Sequence, residues 1–475
     1  MHTEHNGRTD VVRPRWVTKT RPWVATRARR ARRALLHTVS STSTPHMTPL
    51  HDIARYEVAA WRATGQPDDF PYDAVVAAFH AVGKHFVAVA LLSDLDRVRR
   101  ELPRACPAHR RLARFLDTAL DKFGGRYDNP SYLALEQLGL PGADGCPAPG
   151  HTAHRRDRLI ALLMADVLRF ELATAHGCLN LMPELRPAAR ITAKRCRHAL
   201  RAMLPALERL EIDVDLDPDD PLATAHRVQR AVLSGATPAE RRTLQLTALP
   251  VSTVHDEYMF IRVLQSYETV FAQIGVQLTA AITALTRGQA ALATAAIRAA
   301  EATLREASPL WSLVATMQSD AFLRFREYTD GASAIQSRSY KRLESLCRRP
   351  DAERLDSPAY RSVPEVRERV IAGQPTIDEA LRTAIAAGLL SPDEHTALSA
   401  AMDGFEAAVA KWRKTHHSIA VRMLGERRGT GDTAGVAYLE QARGIPVFAA
   451  GGCPFAHGAR SMEAAPADAL QLTAA

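Results

Sequence analysis

A histidine stands in this sequence where apolar side chains belong. Ala408, Trp412, His416, Ile419 and Met423 recur at intervals of three and four residues, which places them on one face of a helix. The adjacent His417 is rotated away from that face by about 100°. An imidazole on an apolar face is ordinarily a satisfied core residue. It is also what a five-coordinate haem iron uses, because one axial nitrogen suffices and the rest of the cavity can be apolar. Soon afterwards comes "RRGTGDTAGVAYL", in which Gly429, Gly431 and Gly435 free backbone donors and Thr430 and Thr433 add hydroxyls. Its spacing is neither that of a dinucleotide-binding turn nor that of a P-loop, so a phosphate cradle is excluded.

Arg326 is a second candidate. Phe322 precedes it by one helical turn and Ser333 follows in the next loop. Such a trio can clamp an aromatic amino acid, with guanidinium on carboxylate and ring against ring. The plain alternative is a surface arginine beside a core phenylalanine. His255, Asp256 and Glu257 lack the second histidine of a HExxH zinc site, and at the start of a helical pattern they read as capping residues. His176, Cys178, Cys196 and His198 lie close in sequence, but in Ala/Leu-rich segments where buried thiols and surface histidines are the expectation.

The elements that must carry these residues are helices. Ala, Leu, Arg and Glu recur at helical spacing, and alternating β-branched runs are nearly absent, so the fold class is all-α. A helix of about 30 residues opens at His255 and stops near Gly288, with Phe260, Leu264, Tyr267 and Phe271 on one face. "ALATAAIRAAEATLREAS" forms another. Pro309 suits the first turn of a third, which is expected to run through Trp311, Leu313, Met317 and Phe322. Ser391, Pro392 and Glu394 spell an oxygen cap, a first-turn proline and a capping box, and Gly425 is a natural stop. Breaks fall at Gly124–Ser131, Pro141–Gly150, the acidic run ending at Pro221, and Ser234–Pro238.

The whole chain has 475 residues, 46% hydrophobic and 24% charged, with a net charge of +9. That is ample for a sizeable core. Residues 1–46 hold nine Arg and one Lys against Glu4 and Asp10, so nearly all the excess charge lies there. A basic face on the folded body, as nucleic-acid binding needs, is not expected. For that stretch three readings stay open: a basic, disordered tail, sequence upstream of a start at Met47, and a targeting or polybasic contact segment. No apolar stretch is expected to approach the roughly 20 residues of a membrane span, the densest short run, Phe86–Leu92, being far shorter, so a membrane-spanning protein is excluded. The six cysteines are dispersed without a CxxC pair, which suits a reducing compartment and a cytoplasmic protein.

Three segments, "HDEYMFIRVLQSYETVF" (255–271), "MQSDAFLRFREYTDGASAIQSRSYKRLE" (317–344) and "WRKTHHSIAVRMLGERRGTGDTAGVAYL" (412–439), resemble, in this order, the tryptophan 2,3-dioxygenase superfamily of histidine-ligated haem oxygenases. The resemblance implies that family's helical haem-binding fold, haem b as cofactor, O2 and an aromatic amino acid as substrates, and a homo-oligomer without nucleic-acid or membrane partners. By position, His416 is similar to the proximal iron ligand and Thr430 to the residue that meets the substrate ammonium or carboxylate. Arg326 is similar to the arginine that pairs with the substrate carboxylate, with Phe322 in the aromatic position before it. Phe260 falls where the family packs a phenylalanine on the indole, and Ser333 where it has a serine near haem and substrate.

Leu264 is the main departure, for tryptophan 2,3-dioxygenases carry a distal histidine there. Asp432 replaces a loop glycine, and Ala334-Ile335 stands for the usual Gly-Phe. Leucine cannot hydrogen-bond an indole nitrogen or bound oxygen, so from Leu264 a tolerance of ring N-methylation follows as an expectation. The leading activity implied is indole C2–C3 cleavage to an N-formylkynurenine-type product. The alternatives are a haem monooxygenase of tryptophan or tyrosine, and a non-catalytic haem-binding or helical interaction protein. The expected organisation is a tail over 1–46, an N-terminal helical region over 47–240, an oxygenase core over 241–445 and a C-terminal tail over 446–475.

Overall fold

The computed structural model describes residues 49–449, apart from 104–105, 144–148, 216, 218, 426, 428 and 430–434. Thr430, residues 1–46 and residues 450–475 therefore lie outside the described residues. The described chain is helical throughout, with one isolated β-bridge between Glu184 and Val254. Helices α1 (Pro49–Arg62), α2 (Tyr72–Val82), α3 (Val89–Glu101) and α4 (Arg110–Ala119) come first. They enclose a hydrophobic core of their own, reaching from Ile53 to Leu120 and completed by Leu246 and Leu249. α5 (Pro149–Ala175), α6 (Ala189–Arg209), α7 (Pro221–Ser234) and α8 (Pro238–Leu246) follow. The larger core runs from Tyr132 to Phe448 and so draws helices from both sides of residue 240.

At the centre of that core is α9 (His255–Thr286), packed against α5, α10 (Ala290–Glu306) and α13 (Arg338–Cys347). Its length and composition would let it cross a membrane, and 72% of its most apolar window is buried inside the protein. The expectation that no such stretch exists is thereby corrected. Polar residues interrupt the apolar run, yet Arg262, Gln265, Ser266 and Thr269 are themselves buried and hydrogen-bonded, as a core helix requires. The helix ends where Gly288 takes φ +68°, a left-handed turn that glycine adopts without steric penalty.

One expected helix is two. α11 (Ser308–Val314) stops, and α12 (Ser319–Arg326) starts after a break at 315–318. The cause is distant in sequence: the Gln318 amide donates to Asp256 Oδ2 at 2.8 Å, and Arg195 Nε donates to Thr316 Oγ1 at 3.1 Å. These bonds hold the backbone off the helical path. After α14 (Pro364–Ile371) and α15 (Ile377–Ala386) comes α16 (Pro392–Leu424), a single helix of 33 residues. Its start is the expected capping box, with the Ser391 amide donating to Glu394 and the Glu394 amide to Ser391 Oγ, and Gly425 is its C-cap at φ +57°. α17 (Val436–Arg443) folds back on α16.

Gly83 joins the two cores. At φ +83° a Cβ there would lie 2.5 Å from the Ser252 Cα, so only glycine permits this approach. It lets the amides of Lys84 and His85 donate to the carbonyls of Pro250 and Val251.

Candidate functional site

Helices α9, α13, α16 and α17 surround a cavity of about 870 Å3, counting its open mouth. Leu264 and His416 line the same cavity, one from α9 and one from α16. The helical registers explain the rest of the wall: Tyr267, Glu268 and Phe271 follow Leu264 within two turns, and Trp412 precedes His416 by one. Trp311 closes the gap from α11.

Aromatic packing holds the imidazole. The ring of His416 stacks on Trp311 at 5.2 Å and 20°, and lies 5.3 Å from Trp412. Tyr340 in turn stacks on Trp412 at 5.2 Å. Burial, with a smaller contribution from His417, lowers the His416 pKa to about 4. The ring is thus neutral near pH 7 and its nitrogen lone pair is available to a metal.

Part of the cavity wall is cationic. Glu344 pairs with Lys341 at 2.8 Å, Arg413 at 3.0 Å and Arg354 at 3.1 Å, and Arg413 Nε donates to the Tyr340 hydroxyl at 2.8 Å. Burial would raise the Glu344 carboxyl, but these cations bring it down to about 2. With Arg443 also on the wall, cations outnumber carboxylates there. An apolar, aromatic cleft with one neutral imidazole and an excess of cations on its wall suits a planar apolar macrocycle that carries a metal and anionic substituents. The residues present therefore fit a haem.

The other expected residues lie outside this lining. Phe260, one turn before Leu264, lies 6.1 Å from Phe322 and 5.4 Å from Phe325, ring to ring. Arg326 ends α12, its pKa lowered by burial and by Arg427. Ser333 is buried and opens a one-turn helix over 334–336, its amide donating to Gln336. Phe260, Phe322, Arg326 and Ser333 are not on the wall shared by Leu264 and His416, which at that loop is made by Ala334, Ile335 and Ser337. The structure joins Leu264 to His416 and Phe260 to Phe322, and it keeps the two pairs one turn apart along α9.

The capping reading of 255–257 is overturned. Val254 occupies the cap position without a side-chain bond, and all three residues are buried. Asp256 pairs with Arg195 at 2.6 Å, both fully buried. Glu257 accepts from the amides of Val251 and Ser252, from Ser252 Oγ and from the Tyr132 hydroxyl. His255 lies 3.3 Å from Glu171. Cys196 is buried and Cys178 exposed, while His176 leans on His226 at 5.2 Å.

The family profile described as tryptophan 2,3-dioxygenase matches residues 242–367. That stretch contains Phe260, Leu264, Phe322, Arg326 and Ser333 and ends before His416. Among similar proteins, the tryptophan 2,3-dioxygenase of Anaeromyxobacter dehalogenans is 27% identical, over 42% of this chain and 86% of its own. That of Bradyrhizobium diazoefficiens is 26% identical, over 42% and 83%. That of Xanthomonas campestris pv. campestris strain B100 is 25% identical, over 41% and 76%. These matches support the tryptophan 2,3-dioxygenase superfamily and, with it, an enzyme of the haem-dependent oxygenase kind.

Proposed function

We propose that this protein is a haem b-dependent dioxygenase that opens the indole ring of tryptophan or a tryptophan derivative. The observation that carries the reading is the placement of His416 and Leu264 on one aromatic cavity whose wall also carries a group of cations. His416 would hold the iron, and Lys341, Arg354, Arg413 and Arg443 would meet the carboxylates of the macrocycle. The bound haem supplies the redox chemistry with O2. The two atoms of O2 end on the former C2 and C3 of the indole, whose mutual bond breaks, giving an N-formylkynurenine-type product without any other oxidant.

This chain's own residues bind and orient. Arg326 pairs with the substrate carboxylate, Phe260 and Phe322 pack the ring, and Thr430 and Ser333 meet the amino-acid end of the substrate. Trp311 and Trp412 keep water from His416 and fix its ring plane. Leu264 fills the distal position with hydrocarbon and donates nothing, so ring placement rests on shape and packing. We assign the oxygenase core to 241–445, with 47–240 as a helical region packed on it, in a cytoplasmic homo-oligomer.

Hemin reconstitution of the wild type and of His416→Ala tests the ligand. The wild type should give a histidine-ligated ferrous spectrum and the variant should not. Turnover of reduced, haem-loaded protein with L-tryptophan under 18O2 should add two labelled atoms; a single labelled atom would replace this reading with the hydroxylase. Absence of haem uptake by the wild type would remove the oxygenase reading.

A further inference from the structure

Most polar groups on the cavity wall are accounted for. Glu344 is matched by Lys341, Arg354 and Arg413, Arg443 pairs with Glu440 at 2.7 Å, and His416 stacks between two indoles. The exceptions are the indole nitrogens of Trp311 and Trp412 and one oxygen of Glu268. Glu268 follows Leu264 by one turn of α9 and lines the same cavity, it is 3% exposed, and its Oε2 has no hydrogen-bond partner. Burial raises its pKa against the opposing pull of hydrogen bonds from Ser337 and Ser339 and of the Arg338 charge.

A buried carboxyl oxygen left unmet is unfavourable unless something else meets it. Here the open side is the cavity, and the neighbours along α9 are Leu264, Tyr267 and Phe271. Leu264 has no hydrogen-bonding atom; beyond it on the cavity wall come the Tyr267 hydroxyl, which donates to the Ala307 carbonyl, and then the Glu268 carboxyl. Charged or protonated, a carboxyl retains an acceptor oxygen.

We propose that Glu268 is a specificity-determining residue that accepts a hydrogen bond from an N–H or O–H carried on the ring of the aromatic substrate. It does so from one turn beyond Leu264. The proposal rests on the oxygenase reading and deepens it: the preferred substrates are aromatic amino acids with a ring-borne donor. It also reverses the tolerance expected from Leu264 alone, because a methylated ring would leave Glu268 unpaired.

The test is an absorbance titration of the haem-loaded ferric protein with two pairs of probes, L-tryptophan against 1-methyl-L-tryptophan and L-tyrosine against O-methyl-L-tyrosine. In the wild type, methylation should weaken binding roughly tenfold or more in at least one pair. Glu268→Ala should close that gap by weakening the parent compound, and Glu268→Gln, which keeps an acceptor oxygen, should largely retain it. Where Glu268→Ala fails to fold by circular dichroism, Glu268→Leu, which restores apolar volume, takes its place. Equal binding of parent and methylated probes by the wild type overturns the proposal, and so does a gap that survives the loss of the carboxyl. A haem-loaded protein that responds to none of the four probes fails differently, for it removes the substrate reading beneath.

Discussion

Replacing Asp256 with alanine should expose how α12 is held. Arg195 and Asp256 are both fully buried, with Arg195 Nη2 donating to Asp256 Oδ1 at 2.6 Å. Breaking a buried pair typically costs about 3–5 kcal/mol because the surviving charge stays uncompensated. Here Arg195 keeps Glu171 at 2.9 Å, so the lower end applies, about 3 kcal/mol. The Gln318 amide also loses its acceptor, adding about 1 kcal/mol. The sum, about 4 kcal/mol, is a large share of an ordinary domain's stability of about 5–15 kcal/mol. Asp256→Asn keeps an acceptor for Gln318 and loses only the charge, so it should cost about 3 kcal/mol. Urea unfolding followed by far-ultraviolet circular dichroism reads both, through midpoint shifts at unchanged slope. Because α12 carries Phe322 and Arg326, the Asn variant should also bind amino acids more weakly while taking up haem normally. A loss under about 1 kcal/mol in Asp256→Ala would refute the reasoning, since an ion pair so placed cannot be both intact and dispensable.

Two further outcomes follow from the site. Arg326→Ala should weaken amino-acid binding by about 2 kcal/mol yet leave the decarboxylated amines unaffected, as read by spectral titration; equal loss for both would deny Arg326 the carboxylate. Glu344, held near 2 when folded against an ordinary 4.5, contributes stability that is complete above about pH 4.5 and is lost as pH falls toward 2, on the order of 3 kcal/mol. Glu344→Gln should flatten the acid limb of a stability–pH curve, and superimposable limbs for variant and wild type would contradict the assignment.

The long helices were readable because their signals are local. The stripe Phe260–Leu264–Tyr267–Phe271 and the Ser391 capping box need only neighbours within a few positions, and the structure repeats both. The break at 315–318 was not readable, because the carboxylate that captures the Gln318 amide stands about sixty residues earlier. Asp256 and Glu257 looked like helix-start carboxylates for the same reason: sequence gives their place on α9 but not that Arg195 and Tyr132 converge on them. His416 and Leu264 emerge from spacing and resemblance together. Glu268 sits in the same quoted segment, and its position four residues after Leu264 was the available signal. Its significance depends on burial and on an unmet oxygen, which no spacing rule reports.

The stacking of His416 on Trp311 and beside Trp412 gives the protein a built-in optical gauge. These are two of the five tryptophans in the chain, and an iron porphyrin bound at His416 would lie within the short range over which such a chromophore drains excited-state energy from an indole. Trp61 belongs instead to the separate core of α1–α4. Loading of the cavity would register as a loss of intrinsic fluorescence, a change that follows occupancy without turnover.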